Sequence, residues 1–166
     1  RNVTLPNSLR AIPKAMFKLC TSLDNIYIPE TVTRIDEHAF YECKSLSKIA
    51  LPNSIRTIKE RTFYYCSNLY EVVLPASLEE VEEQAFCICT SLEKITFPSK
   101  LRIIGYQAFN SCYNLNEISF PEAITRIEDG AFGNCTALTR GDFPLKDINI
   151  HNDAFYKCDN MKRTIQ

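Results

Sequence analysis

The chain has 166 residues, and its 19 Lys and Arg against 20 Asp and Glu give a formal net charge of -1 at pH 7. A balanced charge offers no broad basic surface to nucleic acid and no strong attraction to an anionic membrane. No apolar run approaches the roughly 20 residues that a membrane-spanning helix needs. Neither a nucleic-acid partner nor insertion into a membrane is therefore expected.

Three residue types recur together every 23 residues along the chain. Proline stands at Pro6, Pro29, Pro52, Pro75, Pro98, Pro121 and Pro144. Phenylalanine stands at Phe17, Phe40, Phe63, Phe86, Phe109, Phe132 and Phe155, and cysteine at Cys20, Cys43, Cys66, Cys89, Cys112, Cys135 and Cys158. Three residue types in phase over the whole chain predict stacked structural repeats.

Each repeat begins with a pattern that is typical of a short strand. In the repeat from Leu23 to Leu46, Ile26 and Ile28 alternate with polar residues, as expected when one face of a strand is buried. Pro29 then ends the strand, because proline cannot donate a backbone hydrogen bond to a neighbouring strand. Further along the repeat, Val32 and Ile35 predict a second extended or turn segment.

The part of the repeat that follows predicts one or two helical turns, as in residues 36–41. Acidic residues recur at its start, where the dipole of a helix favours negative charge. They are Glu37, Glu60, Glu83 and Asp129.

These elements predict an α/β solenoid that forms a single domain over residues 1–166. A unit of a strand and a short helical turn can bury its apolar side only against neighbouring copies. We expect about seven 23-residue coils in a right-handed superhelix, with a parallel β-sheet on the concave face and the helical turns and extended segments on the other faces. Residues 139–166 form an atypical last repeat, and the chain is expected to be part of a longer repeat protein.

The repeat resembles a known family. The block from Ala85 to Leu92 reads Ala-Phe-x-x-Cys-x-x-Leu, and residues 49–52 read Ile-x-Leu-Pro. Both are similar to the BspA-like leucine-rich repeat, the Treponema/BspA type, and the similarity extends over essentially the whole chain. The resemblance implies a cell-surface or secreted protein that adheres to host proteins or to neighbouring cells.

One candidate binding surface lies on the predicted concave face. Residues 23 apart become neighbours in adjacent coils, so a row in the sequence becomes a stripe on the surface. One outward-facing row alternates in charge: Lys48, Glu71, Lys94, Glu117 and Arg140. Together with Tyr27 and Tyr70 as aromatic anchors, this row is our candidate for contacting a partner protein. The alternative is that the charges only pair with one another across neighbouring strands.

A second candidate surface lies on the predicted helical flank, where it consists of Tyr41, Tyr64, Tyr65 and Ile88. Such a patch could pack against another copy of the chain or against a neighbouring domain. The alternative is ordinary surface apolarity, which is common when apolar residues are scattered.

The seven cysteines in phase predict a stack of small buried side chains with free thiols, because free cysteine is among the most buried residue types. Disulfides between stacked neighbours stay open as an alternative. The eighth cysteine, Cys87, lies outside this row and is the thiol that we expect to react.

The sequence contains no catalytic motif. It has no phosphate-binding glycine loop, no nucleophile elbow and no pair of metal-binding histidines. Its two histidines, His38 and His151, fall in different rows and about five coils apart. We therefore predict no catalytic, cofactor or metal site, and a binding module in place of an enzyme. The alternative function is a structural spacer or self-assembly segment of a larger repeat protein.

Overall fold

The computed structural model describes the backbone of residues 2–165 and the side chains of residues 3–162. It shows a parallel β-solenoid of about six turns, in which each turn contributes short strands to two faces. The seven coils expected from the sequence are not confirmed. The right-handed winding stays a prediction.

One set of strands, the front strands, follows the leucine at the end of each repeat. They are β1 (Asn2–Thr4), β3 (Asn25–Tyr27), β5 (Lys48–Ala50), β7 (Glu71–Val73), β10 (Glu117–Ser119), β12 (Arg140–Phe143) and β14 (Lys162–Ile165). Neighbouring front strands are parallel, and Lys48 in β5 is paired with Glu71 in β7. The sheet is divided into the sections β1-β3, β5-β7 and β10-β12-β14. The strand expected at residues 94–96 is reduced to an isolated bridge between Lys94 and Glu117, and the front strands do not form one continuous sheet.

A second set, the side strands, forms where the sequence predicted an extended or turn segment. They are β2 (Ala11–Ile12), β4 (Arg34–Ile35), β6 (Thr57–Ile58), β8 (Glu80–Val81), β9 (Ile103–Ile104), β11 (Arg126–Ile127) and β13 (Asn149–Ile150). Five of them form a parallel sheet in the order β13-β11-β9-β8-β6, and β2 pairs with β4.

The helical turns predicted from the sequence are wrong. Residues 2–165 contain no helix, and hence no helical segment that could cross a bilayer. Most coils instead have two residues in the left-handed region, with φ between +50° and +62°. In one coil these are Gln84 and Ile88, at +52° and +62°. A residue in this region cannot continue a right-handed helix, so the segment becomes a series of turns.

Hydrogen bonds between coils satisfy the backbone groups of these turn segments. Arg61, Phe63 and Tyr65 donate their backbone N–H groups to carbonyls of the next coil, at 3.0, 2.8 and 2.8 Å. The intervening Thr62 and Tyr64 donate to the carbonyl three residues earlier in their own coil, at 3.2 Å. Alternate N–H groups thus point along the solenoid axis, which satisfies the buried backbone and joins each turn segment to the next.

The core is built around one column of stacked phenylalanine rings. Neighbouring rings have centroids 5.1 to 5.3 Å apart and planes within 5° to 13° of parallel. The rings belong to Phe17, Phe40, Phe63, Phe86, Phe109, Phe132 and Phe155. The five central residues are fully buried. Each of these five central rings therefore packs against the same residue type in the coils on both sides.

The cysteine row lies beside this column. Six buried thiols donate to the carbonyl of the phenylalanine in the preceding coil, at 3.0 to 3.3 Å. They belong to Cys43, Cys66, Cys89, Cys112, Cys135 and Cys158. All eight cysteines of the chain are free. The prediction of a buried thiol stack is confirmed for these six, whereas Cys20 in the first coil is exposed.

The last coil departs from the regular pattern. A Cβ atom added at Gly141 in β12 would lie 3.1 Å from the ring of Phe143 and 3.4 Å from the Cε of Met161, so those side chains occupy the space of the usual strand isoleucine. Leu145 is 77% exposed, and Asp147 is exposed where earlier repeats bury an apolar residue. This coil is therefore packed less tightly than the others.

We predict that Phe86→Ala lowers the free energy of unfolding by about 3 to 5 kcal/mol, the usual cost of removing a buried aromatic ring. Phe17→Ala should cost clearly less, because the Phe17 ring stacks on a single neighbour, Phe40. Equilibrium urea unfolding of the two variants measures both losses. Equal losses would contradict a core that depends on stacking from both sides.

Candidate functional site

The alternating burial of the front strands positions the outward side chains of this face. In β3, β5 and β7 the middle residue is buried and both flanking residues are exposed. Ile49 thus points into the core while Lys48 and Ala50 face solvent. Because the strands are in register, outward residues of adjacent coils lie side by side.

Lys48 is the polar centre of this surface. Its Nζ lies 3.0 Å from Oε2 of Glu71 and 5.4 Å from the ring centroid of Tyr70. The hydrogen bond to Glu71, and then that to Tyr70, raises the pKa of the Lys48 ammonium group, which favours its charged form. One basic side chain thus holds an acidic and an aromatic neighbour in place.

The apolar side chains around this centre are unusually exposed. Tyr27 is 69% exposed, Val73 53% and Tyr70 45%. Tyr27 and Val73 line an open depression of about 360 Å³, and Tyr70 lies beside Lys48 of the same lining. Its lining consists of Asn25, Ile26, Tyr27, Lys48, Ile49, Ala50, Glu71 and Val73. We call Tyr27, Lys48, Tyr70, Glu71 and Val73 the front patch.

The charge row predicted along this face is only partly formed. Lys94 shares a backbone bridge with Glu117, and the ion pair of Arg140 is with Asp142 of its own strand, at 2.8 Å. Among the described residues, the one ion pair between adjacent coils in this row joins Lys48 to Glu71. The interruption of the sheet after β7 coincides with this break. Lys94, Glu117 and Arg140 thus lie on the same face but outside the front patch.

The second candidate surface, which we call the flank patch, consists of Tyr41, Tyr64, Tyr65 and Ile88. The rings of Tyr41 and Tyr64 stack at 5.0 Å with planes 6° apart, and Lys18 lies 5.0 Å from the centroid of Tyr41. Lys44 lies 4.4 Å from the centroid of Tyr65. Ile88 is half-buried, as are all three tyrosines.

The structure therefore stacks Tyr41 on Tyr64 and covers much of the apolar area of the four predicted flank residues. Partial burial also raises the pKa of the Tyr64 hydroxyl. The lysines that cover the rings were missed by sequence reasoning, since they lie in other coils or other rows. A free aromatic surface is more available on the front face.

Cys87 lies beside this flank, and the prediction that it is the reactive thiol is wrong. The residue is 5% exposed, and burial raises the pKa of its thiol to about 11. The exposed thiol belongs to Cys20 in the first coil. The sequence pattern misled here because Cys87 was assigned to a surface row.

Ion pairs join adjacent coils just after the side strands. Lys59 lies 2.9 Å from Glu82, and Arg61 lies 3.3 Å from Glu83. The sequence pattern places Glu83 at the start of a helical turn and predicts no basic partner for it. Glu82 and Glu83 lie opposite basic residues of the preceding repeat. Aligning the repeats in the sequence would have indicated these pairs.

The model of the BspA type leucine rich repeat region matches residues 1–89 and 57–165, with six copies. The chain belongs to the BspA-type leucine-rich repeat family. The expected resemblance is thereby confirmed, and the solenoid has the leucine-rich-repeat fold. None of the curated proteins matches this sequence significantly.

Solved structures of leucine-rich repeat proteins have the same architecture. A protein from Bacteroides ovatus is 28% identical with a TM-score of 0.92, over 99% of this chain and 45% of that chain. The T. pallidum leucine-rich repeat protein is 30% identical with a TM-score of 0.75, over 98% of this chain and 68% of that chain. The pneumococcal vaccine antigen PcpA is 18% identical with a TM-score of 0.72, over 99% of this chain and 50% of that chain, and this likeness shows the fold alone. This BspA-type chain thus spans less than half the length of the Bacteroides protein.

The burial of the thiols predicts the reactivity of this BspA-type chain. At pH 8 one thiol, that of Cys20, should react rapidly with a disulfide reagent, because it is exposed. Cys87 should react slowly, because only about one in a thousand of its thiols is ionised when the pKa is about 11. Spectrophotometric titration of the folded and the denatured chain measures the number of reactive thiols. Cys20→Ser should abolish the fast phase, and fast labelling of Cys87 in that variant would contradict the buried geometry.

Proposed function

We propose that this chain is a protein-interaction module of a cell-surface or secreted protein, and that it binds a partner protein through the front patch. The observation that carries the proposal is the exposure of Tyr27 and Val73 at one open depression, with the exposed ring of Tyr70 beside Lys48 of its lining. Large apolar side chains that gather on a surface mark interaction sites more often than scattered ones do.

The composition of the front patch favours a protein as the partner. Protein interfaces are rich in tyrosine, and a few aromatic residues usually supply most of the binding energy. Here Tyr27 and Tyr70 supply the apolar area, while the ion pair of Lys48 and Glu71 adds polar contacts. The remaining charged residues of the row, Lys94, Glu117 and Arg140, extend the surface and would contribute to orientation and association rate.

Family membership supports the proposed location and use. The BspA-like resemblance implies adhesion at a cell surface, so we propose a surface or matrix protein of a host or of a neighbouring cell as the partner. The chain covers 45% of the Bacteroides protein, and the partners of any longer protein are part of the same proposal. The flank patch is the weaker candidate, because the rings of Tyr41 and Tyr64 cover each other.

We expect the double variant Tyr27→Ala/Tyr70→Ala to lose affinity for its partner by at least about 30-fold, since loss of two aromatic anchors commonly costs 2 kcal/mol or more. The parent chain is immobilised and used to capture proteins from matrix and cell-surface extracts. The affinity of each captured protein is then measured for parent and variant by surface plasmon resonance.

The matched control is Tyr106→Ala/Tyr113→Ala, which removes two tyrosines of similar exposure, 41% and 47%, outside the front patch. This control should bind like the parent. Equal binding by all three chains would contradict a role for the front patch. If the parent captures no partner but associates with itself in sedimentation experiments, the alternative of a spacer or self-assembly segment would replace the proposal.

A further inference from the structure

Three potential metal ligands meet at the corner that follows the side strands β11 and β13. Asp129 follows β11, and His151 and Asp153 follow β13 in the next coil. Residue 152 occupies the position in its coil that Asp129 occupies in the preceding coil. His151 and Asp153, the residues before and after position 152, therefore lie close to Asp129. None of these three residues belongs to the front patch or to the flank patch.

The donor atoms are close enough to share one ion. One ligand atom from each residue lies within 4.8 Å of the other two, and Nδ1 of His151 is 3.4 Å from Oδ1 of Asp129. Two ligands of a tetrahedral zinc ion, with bonds of 2.0 to 2.1 Å, are roughly 3.4 Å apart. The imidazole and the first carboxylate thus already have the separation that a shared ion requires.

The charges at this corner differ from those of earlier coils. There the acidic residues face lysine or arginine, as Glu82 faces Lys59 at 2.9 Å and Glu83 faces Arg61 at 3.3 Å. Over residues 3–162, the basic group that lies against Asp129 is the imidazole of His151, with 3.4 Å between Nδ1 and Oδ1. This corner thus brings two carboxylates and an imidazole together, whereas Glu82 and Glu83 each face a fixed cation.

We propose that Asp129, His151 and Asp153 bind a divalent transition metal of the zinc class, with water completing the coordination. An imidazole suits Zn²⁺, whereas Ca²⁺ prefers a shell of oxygen atoms. At present Nδ1 of His151 accepts a hydrogen bond from the backbone N–H of Asp153 at 3.2 Å. A metal bound at Nδ1 would replace this long, exposed bond.

The consequence of the metal is a link between the last two coils. Asp129 comes from one coil and the other two ligands from the next, whose packing is loosened around the exposed Leu145. An ion that binds only the folded arrangement stabilises it. The metal would therefore hold the atypical last coil against the regular solenoid.

The test is isothermal titration of the whole chain with Zn²⁺ at pH 7.5, and with Ca²⁺ in a separate experiment. All variants carry Cys20→Ser, because an exposed thiol also binds zinc. We expect one Zn²⁺ per chain with higher affinity than Ca²⁺. His151→Ala, Asp129→Asn and Asp153→Asn should each weaken zinc binding by at least about ten-fold.

The matched control is His38→Ala, which removes the other histidine of the chain and should leave zinc binding unchanged. Circular dichroism checks that each variant is folded. If a variant does not fold, NMR of the His151 imidazole in the parent decides, since direct coordination shifts its ring resonances on addition of Zn²⁺. No saturable zinc binding by the parent, unchanged binding by His151→Ala, tighter binding of Ca²⁺, or an imidazole that does not respond would each overturn the proposal.

Discussion

Stacking of each coil on an equivalent coil 23 residues away is the constraint on which the rest of the structure depends. Phenylalanine rings 5.1 to 5.3 Å apart match the strand spacing of roughly 4.8 Å, so the core column and the strands keep the same register. The thiol of Cys89 donates to the carbonyl of Phe63 within this register. Any insertion of one residue would disrupt the rings, the thiols and the backbone bonds together.

The same register leaves the outer positions free to vary. Outward residues of the front strands do not contribute to the column, and so Tyr27 and Val73 can be exposed apolar residues without a cost to the core. The corner after β13 shows a second use of this freedom, because Asp129 and Asp153 lie close to His151 there. A uniform interior therefore carries surfaces that differ from coil to coil.

The sequence predicted the core rows, the strand starts and the family, because these follow from side-chain burial with a fixed interval. It failed on the turn segments, where acids such as Glu83 suggested a helix start while Gln84 and Ile88 adopt left-handed backbone angles. The hydrogen bonds between coils impose those angles, and neither position carries the glycine that would have indicated them in the sequence. The covering of Tyr65 by Lys44 and the meeting of Asp129 with His151 were missed for a related reason: such contacts depend on side-chain directions and on offsets between rows.

The most direct test of the register is disulfide formation between Ala50→Cys and Val73→Cys in a Cys20→Ser background. These outward positions are paired Cα partners in β5 and β7, and a parallel-strand separation of roughly 4.8 Å lies within the range for a disulfide. Mass spectrometry after mild oxidation should find one bond within each chain, while the control pair Ala50→Cys/Thr96→Cys, two coils apart, should form none. Bonding in the control pair, or its absence in the paired positions, would contradict the stacked register.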